Sequence, residues 1–100
     1  MHNLKAIFIS YNQAYHELIL TLLDKLSIRG FTAWQEVTGR GSNKGEPHYG
    51  DHTWPVLNSA MLIILPPEKS QQLLQQLHQM DQRTEEQGLR AFEWEITRMI

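Results

Sequence analysis

The 100-residue chain contains no cysteine. That excludes disulfides, thiolate metal sites and a cysteine nucleophile, and it fits a reducing compartment. There is no excess of positive charge either. The formal net charge is −2 and the pI about 6.2. Lysine and arginine are scattered along the chain, which argues against nucleic acid as a direct partner. No apolar run reaches the 18 residues that a membrane span needs. The first apolar segment, beginning at Leu4, is too short for a signal-peptide core. The expectation is a cytoplasmic protein without direct membrane insertion. Glycine is sparse, at six residues, yet Gly39, Gly41 and Gly45 fall within seven positions.

One hundred residues make one domain, 1–100, with enough length for a single core. Leu4–Ser10 is nearly all apolar and reads as a central strand covered on both faces. Ser10 or Asn12 can cap the next element. From Asn12 to about Arg29, Tyr15, Leu18, Ile19, Leu22, Leu23 and Leu26 make one helical stripe, and Gly30 supplies a stop. Phe31–Val37 has strand composition. A long polar loop follows to Pro55. Val56–Leu65 is a third strand, apolar on both faces in its second half. Pro66-Pro67 leads into a helix over about Pro67–Asp81, with Leu73, Leu74, Leu77 and Met80 on its buried side. Its glutamines form the wet side. Asp81–Gly88 is a polar connection. Leu89–Ile96 is a last strand, with Phe92, Trp94 and Ile96 on a buried face and Glu93 and Glu95 on a polar one.

The order β-α-β-β-α-β predicts an α+β, ferredoxin-like fold. It has a four-stranded antiparallel sheet, two helices on one face, and a long loop between strands two and three. Two strands look apolar on both faces while helices cover only one, so the open face calls for another copy of the chain.

Three chemistries are readable outside the core. Thr38-Gly39-Arg40-Gly41-Ser42-Asn43-Lys44-Gly45 combines backbone freedom with two cations, a pattern suited to cradling an anion. It is not a Walker motif, because Lys44 is followed by Gly45. Further along the loop, His48, Asp51 and His52 offer imidazole and carboxylate ligands suited to zinc, nickel or copper(II). Glu46 adds a carboxylate, and Pro47 and Gly50 argue against a helical His-x-x-x-His site. Trp34, Trp54 and Trp94 suit core or subunit packing more than stacking. His2, His16 and His78 read as surface residues. No acid–base pair or activated nucleophile is identifiable, so the chain is not expected to be an enzyme.

The chain resembles the PII signalling superfamily. Gly39-x-Gly41-x-Asn43-Lys44-Gly45 is similar to that family's Gly-x-Gly-x-Gln-Lys-Gly. Gly30-Phe31-Thr32-Ala33-Trp34-Gln35-Glu36-Val37 is similar to the approach to it. Pro66 and Gln87-Gly88 also fit. The resemblance implies a homotrimer with sheets facing inward and adenine nucleotides held between subunits. It also implies a T-loop that reaches a membrane transporter or regulatory protein. Carried over, Thr32 lies near the adenine and Gly39 and Gly41 allow backbone approach. Asn43 stands for a glutamine that touches phosphate or metal, and Lys44 for a phosphate-binding lysine. Ile64 lines the base pocket and Gly88 closes a second phosphate loop. That loop is here Glu86-Gln87-Gly88-Leu89, without the family's lysine, and Arg90 stands nearby. The C-terminal basic pair is reduced to Arg98. Each charge-assisted contact contributes roughly 1.5–3 kcal/mol, so triphosphate affinity is expected to be reduced. The related CutA-like trimers, which share this fold, extend the alternative of a metal-binding module built on the loop histidines.

Overall fold

A computed structural model describes residues 3–38, 58–83 and 88–100. Strand β1 is Lys5–Asn12. A short 3₁₀ turn, Gln13–Tyr15, leads into helix α1, His16–Lys25. Strand β2 is Thr32–Val37 and β3 is Asn58–Leu65. Helix α2 is Pro67–Arg83 and β4 is Arg90–Glu95. The sheet order is β2-β3-β1-β4, with all three pairings antiparallel. This is the ferredoxin-like arrangement expected from the element order.

The period of two in β1 separates the faces. Ile7, Ile9 and Tyr11 pair with Ile63, Met61 and Ser59. They share a core with Ile19, Leu22 and Leu23 of α1 and Leu73 and Leu77 of α2. Each large aliphatic side chain buried there contributes about 1.5–3 kcal/mol. The alternate residues form the open face in three rows set by register. Ile64, Ala6 and Trp94 make one row; Thr32, Leu62, Phe8 and Phe92 the next; Trp34, Ala60, Ser10 and Arg90 the third.

Several local expectations are corrected. Strand β1 runs two residues past Ser10. The Asn12 side chain then accepts from the Ala14 amide at 2.8 Å, so Asn12 caps the 3₁₀ turn. The first helix begins at His16 rather than near Asn12. Leu18 leaves the stripe and is exposed, while Leu20 packs against the core. On α2 the buried stripe starts one turn earlier, at Ser70. Ser70 Oγ donates to Glu93 Oε1, tying α2 to β4.

The largest correction is in β4. Phe92 and Trp94 are 56% and 47% exposed and lie on the open face. Glu93 and Glu95 point to the helix side, where Lys5 pairs with Glu95 at 3.2 Å. Alternation was read correctly, but the side assigned to the core was inverted. Register decides it: Trp94 pairs with Ala6, whose neighbour Ile7 faces the helices.

Helix α1 also stops well before Gly30. The Ile28 amide donates to the Leu23 carbonyl at 2.8 Å and the Ser27 amide to the Asp24 carbonyl at 3.0 Å. Those two bonds are a Schellman motif, with Ser27 at φ 60 in the left-handed position usually held by glycine. Buried Ile28 packs in the core beside Leu23, completing the motif. Lys69 Nζ of α2 donates to the Leu26 carbonyl, satisfying another C-terminal acceptor.

His16 is not a bare surface residue. Its Nδ1 is hydrogen-bonded to the fully buried Tyr11 hydroxyl at 2.8 Å, and the rings stack at 6.0 Å. Burial pushes the Tyr11 phenol above its ordinary pKa of 10.

Two predictions follow from this packing. A left-handed non-glycine residue costs about 1–2 kcal/mol, partly offset in glycine by its looser unfolded chain. Ser27→Gly should therefore stabilise by about 0.5–1 kcal/mol, read as a higher urea midpoint at unchanged m value. For Tyr11, the raised pKa favours the neutral phenol in the fold. Its contribution is complete below pH 10 and is lost as pH climbs from there through the folded-state pKa. Urea titrations at pH 7 to 11 should show wild type losing stability faster than Tyr11→Phe above pH 10. Parallel curves would remove Tyr11 as the titrating group.

Candidate functional site

Of the residues singled out by sequence, Thr32, Ile64, Gly88 and Arg90 lie among the described residues. Gly39, Gly41, Asn43 and Lys44 do not, and neither do His48, Asp51 and His52. All seven belong to the connection between the paired strands β2 and β3. Among the described residues, no group of three or more His, Asp or Glu side chains is placed to hold a metal ion.

Thr32 opens β2 and is exposed on the open face, paired with Leu62. Ile64 lies two residues on along β3 and is 40% exposed. Diagonal neighbours of this kind are about 7–8 Å apart, so these two do come together. Ile64 is therefore not a core residue, despite its apolar surroundings in sequence. Arg90 opens β4, on the opposite edge of the sheet. Two strands, β3 and β1, stand between it and β2. At about 4.8 Å per strand the separation across the sheet is about 14 Å. Thr32 and Arg90 of one chain thus do not line a common pocket.

The end of β2 has its own anchor. The ladder shifts register between Trp34 and Val37, a bulge or irregularity. There the Gln35 carbonyl accepts from Gln13 Nε2 and from Ser59 Oγ, each at 2.6 Å. A bulge frees a backbone group from the ladder, and here side chains from two other elements satisfy it. The node ties the end of β2 to the 3₁₀ turn and to β3. Sequence reasoning missed it, because the partners come from three separate elements. Ser59 alone carried a faint signal, as a polar residue on the core side of an apolar strand.

The Arg90 guanidinium is engaged on the helix side of the sheet edge. Nη1 donates to Asp81 Oδ1 of α2 at 3.4 Å and to the Leu89 carbonyl at 2.6 Å. Beside it lies an open groove of about 330 Å³. Leu74, Leu77 and Leu89 line it together with His78 and Asp81. Gly88, just before, is buried and has φ 74.

The open face carries Phe8, Trp34, Leu62, Ile64, Phe92 and Trp94. Phe8 and Trp34 meet at 6.4 Å between ring centroids, tilted by 48°. Trp34, Ile64, Phe92 and Trp94 are each 40% exposed or more. Trp34 and Trp94 are therefore not core residues of this chain. About half of the burial free energy available to those four side chains is unrealised in the isolated chain. A continuous apolar surface of this kind marks an interaction face. No helix among the described residues is long and apolar enough to cross a membrane.

No family model matches the chain, and no curated protein matches it. Solved structures do. CPII, a nitrogen regulatory PII-like protein from Thiomonas intermedia K12, has a structure bound to ADP, AMP and bicarbonate. It matches at 21% identity and TM-score 0.79, over 95% of this chain and 87% of that one. A DUF3240 family protein from Shewanella baltica OS155 matches at 16% identity and TM-score 0.69, over 99% and 96%. GlnK of B. subtilis matches at 16% identity and TM-score 0.67, over 95% and 86%. The chain has the fold of the PII-like nitrogen regulatory proteins.

The two glycines nearest the site's elements differ in what they tolerate. Gly88→Ala forces a Cβ into the left-handed region and should cost about 1–2 kcal/mol in denaturant unfolding. Gly30 has nothing within 4 Å of where a Cβ would stand. Gly30→Ala should stay within about 0.5 kcal/mol of wild type in the same assay.

Proposed function

We propose that this chain is a cytoplasmic, non-enzymatic PII-like regulator. It acts as a homotrimer, binds an adenine nucleotide of few phosphates between subunits, and signals through the loop between β2 and β3. The fold shared with a protein solved with ADP, AMP and bicarbonate carries the reading. Two features of this chain support it. The open face presents a continuous apolar surface suited to a second and third copy. Thr32 and Ile64 sit toward one sheet edge and Arg90 at the other, so a site using all three takes its walls from two chains.

In such a cleft Thr32 and Ile64 would contact the base. Gly39, Gly41, Asn43 and Lys44 would approach the phosphates, with Gly88 and Arg90 across from them. The missing second-loop lysine and the single Arg98 leave fewer cationic contacts for a γ-phosphate. Ordering of the loop by the nucleotide would change the surface offered to a transporter or regulatory partner.

Calorimetry with ADP, AMP, ATP and bicarbonate, combined with sedimentation, tests this. The expected result is a trimer that binds ADP, with ATP no tighter. Lys44→Ala should weaken ADP at least about tenfold, the loss of one charge-assisted contact. Trp94→Glu should lower the oligomeric mass. A monomeric wild type with no heat from any of the four compounds would overturn the proposal.

A further inference from the structure

We propose that Asp81 acts as an internal competitor for the anionic ligand, holding the Arg90 guanidinium away from the open face until a phosphate displaces it. The inference rests on the nucleotide-binding reading above and names how that site is regulated.

The register places Arg90 in the open-face row with Ser10, Ala60 and Trp34. A side chain in that row starts out directed away from the helices. Yet its Nη1 meets Asp81 Oδ1, which belongs to α2 on the other side of the sheet. The arginine therefore wraps around the β4 edge. Its Cα belongs to the face expected to meet another subunit, while its charge is spent against its own helix.

The contact is built to release. At 3.4 Å it is longer than the usual 2.7–2.9 Å of a strong charge-assisted bond. The arginine side chain is 43% exposed and the aspartate 28%, so water and salt weaken the attraction. The second acceptor, the Leu89 carbonyl, is a neutral neighbour in sequence. Phosphate carries more charge than one carboxylate and matches the guanidinium fork, so it can outcompete Asp81 where a less charged ligand does not. His78 and Asp81 stand one helical turn apart on the groove wall beside Arg90, with Leu74, Leu77 and Leu89. Among these groove residues Asp81 is the one carboxylate.

Exposed pairs of this kind contribute about 0.2–1 kcal/mol. Asp81→Asn should therefore tighten ADP by about 1.4- to fivefold and AMP by less, measured by calorimetry on the assembled protein. The same substitution in an Arg90→Ala background should change ADP affinity little, because the competition acts through the arginine. An equal gain in both backgrounds would mean a general field effect of the carboxylate, and the inference would fall. Unchanged ADP binding in Asp81→Asn, with wild type still binding, would overturn it while leaving the nucleotide reading intact. No ADP binding by either protein would overturn both.

Discussion

The two-residue period of β1 is the constraint on which the rest of the structure depends. This strand is hydrogen-bonded on both edges, to β3 and to β4. Once Ile7, Ile9 and Tyr11 face the helices, register dictates the orientation of every neighbour. Met61 and Ile63 go into the core; Leu62 and Ile64 go out. Glu93 and Glu95 turn toward the helix side; Phe92 and Trp94 turn away. A slip of one residue in either pairing would exchange these sets. In the observed register the glutamates keep partners on the helix side, Glu93 accepting from Ser70 Oγ and Glu95 pairing with Lys5, and a slip would forfeit both contacts. The apolar outer face is the consequence of that register.

Much of this was legible in the sequence because it depends on local period and composition. Four strands and two helices and their order follow from spacing and side-chain chemistry, and Asn12 is one of the two cap candidates, with Ser10. The errors share one physical origin: each concerned a choice made by a partner distant in sequence. Alternation in Leu89–Ile96 showed two faces but not which the helices would take. Gly30 looked like a stop, but the chain had already turned at Ser27, where burial of Ile28 beside Leu23 fixes a left-handed residue. Leu18 fits the helical stripe, yet α1 lies on the sheet so that Leu20 packs and Leu18 does not. For the candidate site, residue types were readable and their partners were not. Nothing in the sequence joins Asp81 to Arg90, or Gln13 and Ser59 to a carbonyl of Gln35.

The end of β2 is held by side chains from outside its own strand. The Gln35 carbonyl receives two side-chain donors, one from the 3₁₀ turn and one from β3. Both donors sit on or beside elements whose neighbours are in the core. The Asn12 cap holds the 3₁₀ turn, and Ser59 pairs with the fully buried Tyr11. The signalling role proposed for the β2–β3 connection would need such a fixed point at its start, because fraying of the strand would otherwise dissipate any ordering.

The edges of the sheet link assembly to ligand. Thr32 and Arg90 lie on β2 and β4, separated by the two inner strands, so the proposed site has half its wall on each of two chains. A ligand bridging those halves binds the assembled form and not the separated one. By mass action it then stabilises the assembly by RT ln(1 + [L]/Kd) per site, and the assembly raises ligand affinity by the same coupling. In the proposed assembly the aromatic open face would supply the larger, ligand-independent part of that stability. The ligand-dependent part would fall to a few polar contacts, among them an arginine already shared with its own helix. A modest ligand term on a strong apolar base lets occupancy follow concentration without the oligomer falling apart.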